Sequence, residues 1–127
     1  MIADKPDRVD GFLRWPSRYD DFFVSKLNSS GALLWAKSFG AGEIDKGNSI
    51  AVDSSGNVYT TGYFLGTVDF DPGAGTSNLT SAGSGDIFVS KLDSSGALVW
   101  AKRLGGTALD VGYSIAVDSS GNVYTTG

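Results

Sequence analysis

DFFVSKLNSSGALLWAKSFG (Asp21–Gly40) is followed, about 65 residues further on, by DIFVSKLDSSGALVWAKRLG (Asp86–Gly105). Each is trailed by the same run, IAVDSSGNVYTTG, at Ile50–Gly62 and again at Ile115–Gly127. Asp21–Gly62 aligns with Asp86–Gly127 without a gap, with roughly three-quarters of the positions identical. A match of that length marks an internal repeat, and repeats of this size mean that one supersecondary unit buries its apolar faces against copies of itself.

Inside each copy a tetrapeptide, Asp/Asn-Ser-Ser-Gly, occurs twice, beginning at Asn28, Asp53, Asp93 and Asp118. An Asp or Asn side chain accepts a hydrogen bond from the backbone two residues on, and the glycine takes a positive φ at little cost. The flanking runs, Phe22–Leu27 with Leu33–Lys37 and Ser49–Asp53 with Val58–Tyr63, are rich in β-branched and aromatic residues and read as strands. Each copy therefore holds two hairpins. Gly31–Ser38 carries an Ala-Leu-Leu-Trp-Ala run, too short to stand as a helix and set directly after a turn; it reads as a buried strand. Between the copies, FLGTVDFDPGAGTSNLTSAGSG (Phe64–Gly85) fits either a further strand pair, Thr67–Phe70 with Asn78–Ser81 around Asp71-Pro72-Gly73, or a long loop.

Four short antiparallel strands per repeat, apolar on both faces, follow the logic of a β-propeller blade packed between two others. The expected class is all-β, with about two blades in this chain and the ring incomplete. A β-solenoid and a sandwich of hairpins are the runner-up architectures. The organisation is a non-repeat segment, 1–20, then a repeat region, 21–127, with copies at 21–62 and 86–127 and a connecting segment at 63–85.

Glycine is abundant at 18 of 127 residues, as many tight turns require. The net charge of −4 and ten scattered Lys and Arg residues do not supply the basic stripe that binds nucleic acid. There is no cysteine or histidine, which removes thiolate metal sites and the commonest general base. No apolar run reaches the roughly 18 residues that cross a bilayer. Met1–Asp10 is too charged for a signal peptide, an expectation that leaves open a natural start further upstream.

GTVDFDPGAG, LTSAGSGDIFVSKLDSSGALVWAK, Gly-Asn-Ser-Ile-Ala-Val-Asp and Asp-Ser-Ser-Gly-Asn-Val-Tyr together resemble the bacterial SBBP β-propeller repeat, over about Asp21–Gly127. The resemblance implies large, often exported or surface-associated proteins with many copies and no assigned chemistry. It therefore points to an extracellular or cell-surface location. Met1–Asp20 departs from the pattern, and the chain stops at Gly127 where the first copy continues Tyr63-Phe64-Leu65-Gly66, which suggests a truncated product.

Candidate chemistry is sparse. Asp69 and Asp71, one residue apart before a turn, are the calcium candidates, although the closing glutamate of an EF-hand is missing; a structural turn is the plainer reading, and no cofactor or metal is expected. The Ser-Ser-Gly turns offer a polar rim, but hairpin chemistry explains them. Trp35 and Trp100 occupy equivalent positions and fit either a sugar platform or packing between blades, the latter favoured. Without histidine a serine nucleophile needs lysine, yet Ser25-Lys26 and Ser90-Lys91 are strand neighbours that point to opposite faces. No catalytic residue is assigned. Glu43 is the only glutamate.

The expected function is a non-catalytic repeat scaffold, part of a larger propeller that binds a protein or a glycan. A calcium-dependent adhesive module, or a fragment of an enzyme whose site lies elsewhere, are the alternatives. Phe23, Leu27, Trp35, Ile50 and Val52 are expected to be buried, as are Phe88, Leu92, Trp100, Ile115 and Val117, with the copies at the chain's ends more exposed. Two phases are open: one complete blade over Gly47–Leu104 flanked by complementary halves, or two whole blades. The first permits head-to-tail self-association.

Overall fold

The computed structural model describes residues 21–40 and 43–127, and the backbone of two short strands before them. These two, β1 (Asp7–Val9) and β2 (Phe12–Arg14), form an antiparallel pair; otherwise the 1–20 segment, Trp15 included, lies outside the described residues. Residues 21–127 carry strands and turns and no helix among the described residues. The strands are β3 (Phe22–Leu27), β4 (Leu33–Phe39), β5 (Asp45–Val52), β6 (Val58–Phe64), β7 (Thr67–Asp69), β8 (Asn78–Thr80), β9 (Asp86–Leu92), β10 (Leu98–Leu104), β11 (Ser114–Val117) and β12 (Val123–Thr126). The Ala-Leu-Leu-Trp-Ala run falls in and just before β4, a strand as expected, but not a buried one over this run: Leu34 is exposed and Leu33, Trp35 and Ala36 are half-buried.

Each Asp/Asn-Ser-Ser-Gly turn closes one hairpin. Gly31, Gly56, Gly96 and Gly121 all lie at φ between 82 and 85°, where a side chain is strained. In each, the glycine N–H donates to the carbonyl of the Asp or Asn three residues earlier.

One sheet has four strands, in the spatial order β5-β6-β9-β10, every neighbour antiparallel. It decides the phase. The blade combines the second hairpin of the first copy, β5–β6, with the first hairpin of the second copy, β9–β10. The connecting segment permits this by folding out as its own hairpin, β7–β8, so that the chain returns antiparallel beside β6. The reading of two whole blades, with outer and inner hairpins of one copy in one sheet, is overturned. β3–β4 is the trailing half of a blade before this one, and β11–β12 the leading half of a blade after it; each is a two-stranded sheet.

The core lies between these layers. Phe22 and Val24 of β3 and Phe39 of β4 meet Phe64 of β6 and Phe88 and Leu92 of β9, with Val68 and Phe70 wedged in from the β7 hairpin. Phe22 stacks on Phe39 and on Phe88, each at 4.7 Å, and Phe70 lies 5.0 Å from Phe88 and edge-on to Phe64 at 5.3 Å. On the opposite face, Tyr59 and Val89 pack against Ile115 of β11. Burial on both faces is what a blade requires.

The burial expectations hold for one copy and fail for much of the other. Phe88, Leu92 and Ile115 are buried, and Trp35, Trp100 and Val117 are half-buried. Phe23, Leu27, Ile50 and Val52 are exposed, a correction to the reading that placed them in the core. The cause is position. Phe23 is 57% exposed and its repeat equivalent Phe88 0%; Ile50 is 52% exposed and Ile115 7%. Phe88 and Ile115 face layers that the described residues supply, whereas no further blade among the described residues stands over Ile50.

Candidate binding surface

The polar turns are self-contained. Asp53 Oδ1 accepts hydrogen bonds from the backbone N–H groups of Ser55 and Asn57, while Oδ2 accepts from Asn57 Nδ2 and the Tyr59 hydroxyl, all at 2.9–3.0 Å. Asp118 repeats the set with Ser120, Asn122 and Tyr124. Asn28 and Asp93 receive the two backbone bonds alone. Hydrogen bonds that favour the ionised form, the Asn57 amide first, hold Asp53 at a pKa of about 2 against an ordinary 3.8. Asp118 is lowered by the same cause, and Asp118 in turn raises the Tyr124 hydroxyl. These carboxylates are occupied as turn caps.

Asp69 and Asp71 come together, but as nested turns. Asp69 Oδ1 accepts from the N–H of Asp71 and of Ser77, and Asp71 Oδ1 from the N–H of Gly73. Among the described residues no group of three or more acidic side chains stands ready for a cation. A third acidic position, Asp86 at the start of β9, is wholly buried and pairs with the Arg103 guanidinium of β10 while accepting from the Ala82 N–H.

Both tryptophans are committed to packing. Trp35 lies against Gly96 in the turn of the next layer and donates its indole N–H to the Ser94 carbonyl at 3.0 Å. Trp100 rests against Tyr59, ring centroids 6.3 Å apart. Of the lysines in the Ser-Lys pairs, Lys26 Nζ reaches the Ser94 carbonyl across a joint, while Lys91 Nζ sits 5.4 Å above the ring of Tyr59, its cross-strand partner within the sheet.

A groove runs between β3 and β5. Phe23, Val24 and Ser25 form one wall, and Gly47, Asn48, Ser49, Ile50 and Thr60 the other, around about 270 Å³. A second hollow of about 430 Å³ continues it past Asp21, Asp45 and Lys46. The first hollow is lined by backbone edge and small or apolar side chains, and the second adds the Asp21 and Asp45 carboxylates and the Lys46 side chain. Sequence reasoning missed this groove, because it arises from what lies beside β3 and not from any residue within it. It also missed Phe70, which is wholly buried; the alternation Val68-Asp69-Phe70 was the available signal.

Residues 34–63 and 99–127 match the SBBP family model, described as a β-propeller repeat. The two copies are SBBP β-propeller repeats. With the four-stranded sheet and its half-blade neighbours, the chain is an all-β, partial propeller. It is 30% identical over 115 residues to an uncharacterized WD repeat-containing protein of Acanthamoeba polyphaga mimivirus, covering 80% of this chain and 8% of that protein. It is 33% identical over 131 residues to the regulatory protein FlaEY of Caulobacter vibrioides, covering 100% of this chain and 14% of that protein. The chain thus spans a small fraction of either relative. The SBBP repeats make it a repeat scaffold. No helix among the described residues is long and apolar enough to cross a membrane.

Proposed function

We propose that this scaffold is non-catalytic and binds polypeptide, as part of a larger propeller working at or outside the cell surface. One observation carries the reading: the repeated polar side chains are consumed inside their own turns, so that they cap hairpins and do not converge on a small substrate. Exposed Val99, Leu109 and Tyr113 offer apolar contact of the kind that a polypeptide partner supplies. With Trp35 packed against the next layer and Trp100 against Tyr59 of its own sheet, a glycan is the weaker fit. The names of the two relatives, a WD repeat-containing protein and a regulatory protein, suit a binding role.

The test uses the full-length protein in its own cells, with a photoreactive phenylalanine derivative in place of the exposed Tyr113. The expected result is a cross-link to a protein, and cleavage of the repeats when intact cells are treated with protease. Cross-linking to polysaccharide alone overturns the polypeptide reading, and repeats protected in intact cells but cleaved after lysis overturn the location.

A further inference from the structure

Two near-identical copies in one chain show which positions differ and which do not. Of the 42 pairs in the alignment of Asp21–Gly62 with Asp86–Gly127, 31 are identical. Eight of the eleven that differ fall within residues 38–48 and their counterparts 103–113, where an even spread would place about three. This stretch is the crossover: it leaves the last strand of one blade, β4 or β10, and enters the first strand of the next, β5 or β11. The Asp/Asn-Ser-Ser-Gly turns close the opposite end of the same strands. Their serines are exposed in both copies, and every one is unchanged. Exposure is thus common to both ends, while the differences concentrate at one.

The differences alter chemistry as well as size. Glu43 stands against Ala108 and Asn48 against Tyr113, whereas Ile44 and Leu109 are both apolar. Ile44 is 41% exposed and Leu109 56%. Ile44 has that exposure with the complete blade beside it, so this position faces solvent at a full joint. The second crossover is firmly held. Asp110 donates its N–H to the Gly85 carbonyl at 3.0 Å, its Oδ2 accepts the Gly106 N–H at 2.9 Å, and the Gly112 N–H reaches the Gly62 carbonyl at 3.2 Å. Thr107 lies so close to Gly83 that a Cβ there would strike its carbonyl oxygen. A loop fixed in this way presents its side chains with little ordering cost on binding. From Gly105 to Leu109 it is exposed and bears no charged side chain; Arg103 is committed to Asp86, and Asp110 to Gly106. An uncharged, apolar loop offers little to a phosphate backbone or an anionic headgroup. It suits the apolar centre of a protein interface.

We propose that the crossover end of the blades is the face that selects the partner, and that the partner is a protein whose apolar side chains seat on Leu109 and, one blade back, on Ile44. The shared apolar position supplies contact at both joints. The divergent neighbours, Ala108 and Tyr113 in one copy and Glu43 and Asn48 in the other, give each joint its own preference. The Ser-Ser-Gly end carries the fold and not the partner. This inference rests on the polypeptide-binding reading and locates it; a protein bound at the turn end would sink the inference and leave that reading standing.

The test places a photoreactive phenylalanine derivative at Leu109 or, for comparison, at Ser95, at opposite ends of β10, in the full-length protein in its own cells. We expect a discrete protein adduct at least tenfold more abundant from position 109 than from position 95. An Ala108→Glu, Tyr113→Asn double variant gives the second crossover the first copy's residues at two exposed positions, and is expected to reduce that adduct at least tenfold. Ser119→Ala with Ser120→Ala is expected to leave it within twofold. Circular dichroism of each purified protein checks that the variants fold, and the comparison of 109 with 95 stands without them. An equal or larger protein adduct from position 95, or no adduct from position 109, overturns the proposal. An adduct that survives the double variant undiminished also overturns it, as does one to a second copy of the same protein, which assigns the face to self-assembly. Adducts to polysaccharide alone overturn the polypeptide reading as well.

Discussion

Asp53 shows how much a single turn residue carries. Its carboxylate gathers four donors, where Asp93 gathers two. Asp53→Ala is therefore expected to lower Tm more than Asp93→Ala, measured by thermal unfolding at pH 7. The pH dependence follows from the depressed pKa. The folded value, about 2, lies below the ordinary 3.8, so the stabilisation is complete above about pH 4 and is lost as pH falls toward 2. Tm is expected to fall across that window, and by less in Asp53→Ala. Arg103 is a second residue with leverage. Removing it leaves the fully buried Asp86 carboxylate without its cation, and because the Arg103 end of the pair is solvent-exposed, Arg103→Met is expected to destabilise by about 1–3 kcal/mol, the cost of leaving a buried polar group unsatisfied. Denaturant unfolding checks it; a loss below about 1 kcal/mol, no more than an exposed ion pair contributes, contradicts it.

At the scale of elements, the turn tetrapeptides and the alternating runs made the hairpins legible, including the pair in the connecting segment. The phase was open in the sequence because two hairpins of one copy and two hairpins of adjacent copies are equally near along the chain; only the pairing of β6 with β9 separates them. Nor could burial be read residue by residue, since Phe23 and Phe88 carry the same local pattern and differ only in which layer stands beside them. That difference is measurable. The same contrast holds for Ile115, 7% exposed, and its equivalent Ile50, 52% exposed: Ile115→Ala is expected to cost about 2–4 kcal/mol and Ile50→Ala about 1 kcal/mol or less. Equal losses would mean that the two faces are equally covered. Gly62 tests the strand crossing within the blade: an added Cβ would run into the Lys46 carbonyl of β5, and Gly62→Ala is expected to destabilise by about 1–3 kcal/mol, the usual cost of overpacking.

For the whole molecule, the candidate site was the least legible part. Asp69 and Asp71 stood out as a pattern, yet hydrogen bonds to Asp71, Ser77 and Gly73 occupy one oxygen of each, a commitment that spacing alone does not reveal. Adding millimolar calcium is expected to leave Tm within about a degree. A site filled at 100 times its dissociation constant would add about 2.7 kcal/mol and raise Tm by several degrees; a rise of that size, abolished by Asp69→Ala, would restore the calcium reading. The groove, by contrast, is a property of the assembly of layers, and no window of sequence contains it.

The offset between repeat and blade bears on how such a protein changes in length. The family repeat, as matched at 34–63 and 99–127, runs from the last strand of one blade across the joint into the first two strands of the next. At the level of the gene, near-identical tracts misalign during recombination, and unequal exchange adds or deletes one period. Wherever within the period the exchange falls, the product gains or loses one blade together with one joint, and the Asp-Ser-Ser-Gly turns and the strands they join are copied with it. Copy number is then free to drift without leaving a mismatched seam, so ring size can evolve by duplication alone, with no new interface to invent.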